Sequence, residues 1–153
     1  MYNFLLELHS ILRWIIILLA VVAIVRSGSA MAARKPFGAG DKKTGLFLMI
    51  AAHITLVVGL YLWLFGPLGL ANIRNLGFGE VMKDRTYRFF AVEHLFGMLV
   101  AIALITVGRA ASKKNISDGS KHKRTFWFIL AALLIILATV PWPFMTGIGR
   151  PWL

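Results

Sequence analysis

Six ionisable side chains stand inside or beside strongly apolar sequence: Glu7, His9, Arg13, His53, Glu93 and His94. A charged group at the centre of a membrane helix costs about 2.5–3.5 kcal/mol on insertion scales, so such residues ordinarily turn inward and serve a purpose. Three of the six are histidines. A neutral imidazole can ligate a metal or a haem iron, and it can also relay protons. The fourth histidine, His122, sits among Lys121, Lys123 and Arg124 and is expected to be solvated in a loop. The sequence contains no cysteine, which excludes disulfides, thiolate metal sites and iron–sulfur clusters held by this chain alone. It also lacks a G-x-G-x-x-G run, a P-loop and a His-Glu-x-x-His motif. Ser10 adjoins His9, but neighbours in a helix do not face each other, so hydrolase chemistry has no support.

The elements that carry these residues are read from hydropathy. Of the 153 residues 59% are hydrophobic, and the mean hydropathy is +0.77. A soluble chain of this length could not cover so much apolar surface. Four apolar stretches, about 4–25, 46–65, 89–107 and 126–144, each approach the ~20 residues a helix needs to cross a bilayer. They predict an all-α fold, a single four-helix transmembrane domain over 1–153. The first stretch has neither a basic leader nor a small-residue cleavage site, so it is expected to stay as a helix. Gly66-Pro67 should stop the second helix, and Pro141-Trp142-Pro143 should break the fourth near its end. The segment from Gly79 to Arg88 could extend the third helix or lie along the membrane surface.

Charge sets the expected orientation. Arg26, Arg34, Lys35, Lys42 and Lys43 flank the first connection, and Arg109, Lys113, Lys114, Lys121, Lys123 and Arg124 flank the third. The second has only Arg74, Lys83, Arg85 and Arg88. The positive-inside rule then places both termini outside. The net charge of +11 is accounted for by these membrane-abutting segments, so no nucleic-acid partner is expected. The partner that composition demands is the lipid bilayer, and the apolar faces are compatible with a homodimer or a larger complex.

Depth decides which histidines can meet. His9 and His94 lie at similar distances from the starts of two helices that run the same way, so they should be level near the outer side. His53, on a helix running outward, should sit on the order of 10 Å deeper. Two level histidines suit the axial positions of one b-type haem inside a helical bundle. Gly97 and Ala101 share a face with His94 and would leave room for a macrocycle, although such a face more often serves close helix packing. Arg13, one turn from His9, could pair with Glu7, Glu93 or a haem propionate. A zinc or iron site of Glu7, His9, Glu93 and His94 is the weaker reading, because residues 93 and 94 point about 100° apart on a helix.

The stretches Leu8-His9-Ser10-Ile11-Leu12-Arg13-Trp14, Ala52-His53, Val92-Glu93-His94 and Val140-Pro141-Trp142-Pro143 resemble a family of small bacterial membrane proteins, frequent in Bacteroidetes, labelled cytochrome b-like. The resemblance runs over nearly the whole chain. It implies haem carried by His9, His94 and, as a third candidate, His53, with electron transfer in an envelope membrane. The expectation taken from residues and resemblance together is one haem b held by His9 and His94, with His53 as a further site residue, passing electrons to or from a quinone or redox partner protein in a bacterial inner membrane. Two-haem membrane cytochromes generally use four histidines, and the fourth stretch here has none, so one haem is expected. The architecture is also similar to that of the four-helix membrane family acting in late porphyrinogen oxidation. From a different class comes the alternative of a non-redox membrane subunit or small transporter, its histidines and carboxylates forming a proton relay or a structural polar network.

Overall fold

The computed structural model describes residues 1–152. Four long helices dominate: α1 (Tyr2–Ala32), α2 (Ala39–Phe65), α6 (His94–Ala110) and α7 (Asp118–Thr139). Between α2 and α6 lie three short helices, α3 (Leu70–Leu76), α4 (Phe78–Lys83) and α5 (Arg85–Arg88), and a π-helical turn over Phe89–Glu93. Among the described residues there is no strand. The segments Tyr2–Ala32, Ala39–Leu76, Arg85–Lys113 and Asp118–Thr139 are long and apolar enough to cross a membrane.

Packing follows α1 against α2, α2 against α6, α6 against α7, and α7 back against α1. This is a closed square in which α1 and α6 stand on one diagonal. The faces turned inward are built from small or slender residues. Ala20, Ala23, Ser27 and Ala30 are buried on α1, Ala51, Ala52 and Thr55 on α2, and Gly97, Ala101, Ile105 and Gly108 on α6. Large apolar side chains point outward instead, with Leu18, Val57 and Phe96 each more than 60% exposed. Small residues inside and bulky apolar residues outside is the pattern expected where lipid removes any hydrophobic drive between helices and close backbone approach replaces it.

Helix limits differ from the hydropathy reading in ways the side chains explain. The fourth helix ends at Thr139, five residues before the expected limit at 144, because Pro141 and Pro143 lack the N–H groups needed to continue it. At the opposite end Ser117 caps α7, its hydroxyl accepting from the Ser120 N–H at 3.3 Å. That start is eight residues earlier than expected. Arg26 lies within α1 and Lys42 and Lys43 within α2, so the first connection shrinks to six residues. Arg26 and Asp41 join the two helices there at 3.0 Å. The ambiguous 79–88 segment divides. Asp84 is extended and ends α4, whereas α5 runs through the π turn directly into α6 and lengthens the third span at its N-terminal end.

His122 is not solvated. It lies in α7, fully buried, with its ring 4.8 Å from that of Phe37, and neither ring nitrogen has a hydrogen-bond partner. The basic neighbours Lys123 and Arg124 are exposed. Helical spacing places residue 122 in line with Thr125 and Ile129 on the buried face.

Candidate functional site

The prolines that stop α7 also build the site. In an α-helix the carbonyl of residue i accepts from the N–H of residue i+4, so Pro141 and Pro143 orphan the carbonyls of Leu137 and Thr139. Both are satisfied by side chains. The Trp142 indole N–H donates to Leu137 O at 2.7 Å, and the His94 ring donates through Nδ1–H to Thr139 O at 2.7 Å. A carbonyl can only accept, so the proton of the neutral His94 ring is on Nδ1 and Nε2 keeps its lone pair. A backbone carbonyl holding one ring nitrogen is the arrangement that orients a histidine for ligation through the other.

His9 faces His94 across the diagonal of the square. Their ring centroids are 6.2 Å apart and the ring planes cross at 67°. The His9 Nδ1 is buried and has no hydrogen-bond partner. Its ring packs on the backbone of α2, where a Cβ on Gly59 would stand 3.0 Å from His9 Cε1. Gly59 therefore lets the imidazole approach. Counting along α2, His53 is six residues from Gly59, about 9 Å further from the pair and turned by about 240°. His53 is exposed on the outer surface of the bundle, and its Nδ1–H donates to Met49 O at 2.8 Å.

The remaining expected site residues have specific partners. Arg13 donates to Trp152 O at 2.5 Å, and its guanidinium lies 5.4 Å from the Trp14 ring centre. The Trp14 indole donates to the same carbonyl at 3.0 Å. Neither expected carboxylate holds Arg13: Glu93 pairs with Arg88 at 2.6 Å, and Glu7 is exposed. Gly97 and Ala101 are buried, but Gly97 serves helix packing, since a Cβ there would lie 2.6 Å from Thr139 Cγ2. The room it leaves is filled by α7. Ala101 belongs to the same packed core. Among the described residues no three His, Cys, Asp or Glu side chains converge on one point, so the four-ligand metal reading finds no support.

The segment from Val140 to Trp152 folds back over this end of the bundle. Arg150 N–H donates to Pro141 O at 3.0 Å, closing a loop, and Thr86 donates to Gly147 O at 3.0 Å. Trp14, Trp142 and Trp152 form a triangle with ring centroids 5.9–6.0 Å apart. Thr139, Gly59 and the Trp152 carbonyl are thus site neighbours that sequence reading did not name. Of these, Thr139 alone had a signal, its position four residues before Pro143.

Two metal–imidazole bonds of about 2 Å, with about 1 Å more to each ring centre, put axial imidazole centroids roughly 6 Å apart. The observed 6.2 Å agrees. The structure thus brings the two imidazoles together, and the Gly97 face does not supply a macrocycle cradle. By fold, this chain belongs to the class of four-helix bundles whose long helices can each cross a membrane. Comparison with family models, with curated proteins and with solved structures finds no match for it.

Proposed function

We propose that the chain is a multi-pass protein of the bacterial cytoplasmic membrane that holds one b-type haem through His9 and His94 and passes electrons to or from a quinone or a redox partner protein. The observation that carries this reading is the meeting of the two imidazoles across the bundle core with ring centroids 6.2 Å apart, and with the lone pair of His94 Nε2 left free by the bond to Thr139. A bound haem iron would supply one-electron chemistry. The chain's own contribution is to fix the ring of His94 and to seat His9 on Gly59. The resemblance to cytochrome b-like membrane proteins supports the same reading.

A second reading is favoured by a specific contact. The His94–Thr139 bond joins α6 to α7 just where Gly97 meets Thr139, which is also what a purely structural polar network in a non-redox subunit or small transporter would do. Reduced-minus-oxidised spectra of the detergent-purified protein separate the two. Expected are a low-spin haem signal in the wild type, its loss or conversion to high spin in His9→Ala and in His94→Ala, and its retention in His53→Ala. Absence of Soret absorbance after expression with added haem would overturn the haem reading in favour of the network.

A further inference from the structure

A cavity of about 340 Å³ opens at the end of the bundle away from His9 and His94, where the last turn of α1 meets the first turn of α7. Its wall is formed by Met31, Arg34, Lys35 and Pro36 on one side and by Asp118 and Gly119 on the other. That volume is in the range of small-molecule sites. Arg34 stands at φ +51°, a left-handed conformation that glycine adopts freely and arginine does not. The chain turns there and brings two consecutive cations to the same wall. Their charge is not balanced within the chain. Among the described residues neither Arg34 nor Lys35 forms an ion pair, because the two acids at this end are taken: Asp41 pairs with Arg26 at 3.0 Å and Asp118 with Lys121 at 3.8 Å.

The opposite wall adds hydrogen-bond donors. Ser117 accepts from the Ser120 N–H through its hydroxyl and from the Lys121 N–H through its carbonyl, while the N–H groups of Asp118 and Gly119 have no intrahelical partner. A Cβ added at Gly119 would meet nothing within 4 Å, so the space beside this turn is open. One turn further along α7, His122 is fully buried with neither ring nitrogen partnered, its ring against Phe37, the neighbour of Pro36 in the wall. A helical side chain leans toward the turn before its own Cα, which for residue 122 is the turn carrying Asp118 and Gly119. An imidazole bears at least one hydrogen, and this one lacks an acceptor. Cations without acids and donors without acceptors, gathered round one cavity, call for an anion with several oxygens.

The surroundings identify its source. The 31 residues of α1 span about 46 Å, more than the ~30 Å of a hydrocarbon core, so the last turns of this helix reach head-group level. Toward the bundle centre the seam between α1 and α7 continues at Gly28, where a Cβ would stand 3.3 Å from the Phe126 ring. Both residues are half-buried, and Trp127 beside them is 57% exposed. A charged cavity thus runs on into an apolar seam. We propose that this cavity binds the phosphate head group of an anionic phospholipid, with Arg34 and Lys35 on its oxygens and an acyl chain along the Gly28–Phe126 seam. A zwitterionic lipid would bring its own cation to two that are already uncompensated, so a net negative head group is the better fit.

Native mass spectrometry of the whole protein in detergent counts bound lipid directly. The protein is titrated with dioctanoyl phosphatidylglycerol, with dioctanoyl phosphatidylcholine and with inorganic phosphate. Expected is saturable binding of one phosphatidylglycerol per chain, about tenfold or more tighter than phosphatidylcholine. Each basic residue near a membrane surface contributes about fivefold, so Arg34→Gln with Lys35→Gln should weaken binding roughly twenty- to thirtyfold. Lys42→Gln with Lys43→Gln removes the same charge from exposed positions at the start of α2 and should leave binding within about twofold. Asp118→Asn, which removes the carboxylate from the wall, should tighten it. Arg34→Gly should raise the Tm by releasing the left-handed arginine and yet weaken binding, a separation that a purely structural arginine would not produce. Equal affinity for the two lipids overturns the proposal. Equal losses in the two double variants do so as well, since they would assign the effect to diffuse surface charge. Inorganic phosphate that displaces phosphatidylglycerol at similar concentration would assign the cavity to a soluble anion and overturn its assignment to lipid.

Discussion

At the scale of single residues, Arg13 shows how a costly group is placed. One turn from His9, it reaches neither Glu7 nor Glu93 but the backbone carbonyl of Trp152, which also accepts from Trp14. The guanidinium thereby ties the C-terminal segment to α1. A hydrogen bond to a charged group contributes about 1.5–3 kcal/mol, and about 2–4 °C of Tm accompanies each kcal/mol in a chain of this size. Arg13→Leu is accordingly expected to lower the Tm of purified protein by several degrees and to loosen the tail, seen as faster proteolysis after Trp142. An unchanged Tm and cleavage pattern would mean that Arg13 only reaches toward the membrane surface. The meeting of His9 with His94 was legible from their equal depth, because helical rise is regular. The partner of Arg13 was not, because it is a main-chain oxygen 139 residues away, and a carbonyl carries no side-chain signature.

At the scale of elements, the hydropathy pattern marks the four long helices but blurs their ends. The reason is physical. Window averages follow apolar content, whereas ends are set by single N–H and C=O groups, as at Ser117, Asp84 and Pro141. The π turn at Phe89–Glu93 was invisible for the same reason. Its widened register is accompanied by a bond from the Trp63 indole to Ala91 O at 3.0 Å, which ties α2 to the third span. The glycine face of α6 carried an ambiguous signal, room for a cofactor or room for a helix, and Thr139 of α7 takes the space. Gly97→Ala should therefore cost about 1–3 kcal/mol through overpacking. Thermal unfolding in detergent checks it. Adding Thr139→Ala, which removes the two nearest atoms, should restore most of the loss, and Gly79→Ala, which meets nothing within 4 Å, should have little effect. A Gly97→Ala protein as stable as the wild type would show that α6 and α7 can part freely at this level.

At the scale of the whole molecule, the two ends of the bundle differ in charge, and that difference fixes an expected orientation. Eleven lysines and arginines flank the two connections at the end away from the His9–His94 pair, against four in the connection at the histidine end. Basic residues near span ends are retained on the cytoplasmic side, so the expected placement is the paired histidines and the tryptophan triangle in the outer half of the membrane, with both termini outside. The absence of cysteine makes this directly measurable. Single cysteines at Gly79, in the connection at the histidine end, and at Lys114, in the connection at the basic end, are both at exposed positions. In intact cells, with any outer envelope layer made permeable to the reagent, a membrane-impermeant maleimide should label Gly79→Cys readily. It should reach Lys114→Cys only after the cytoplasmic membrane is opened. The reverse pattern would turn the bundle over. His9 and His94 would then face the cytoplasmic side, and the electron donor or acceptor for this end would have to be sought among cytoplasmic partners. The internal geometry of the site would be unchanged, since the 6.2 Å pairing and the Thr139 bond depend on packing within the bundle and not on which way it stands.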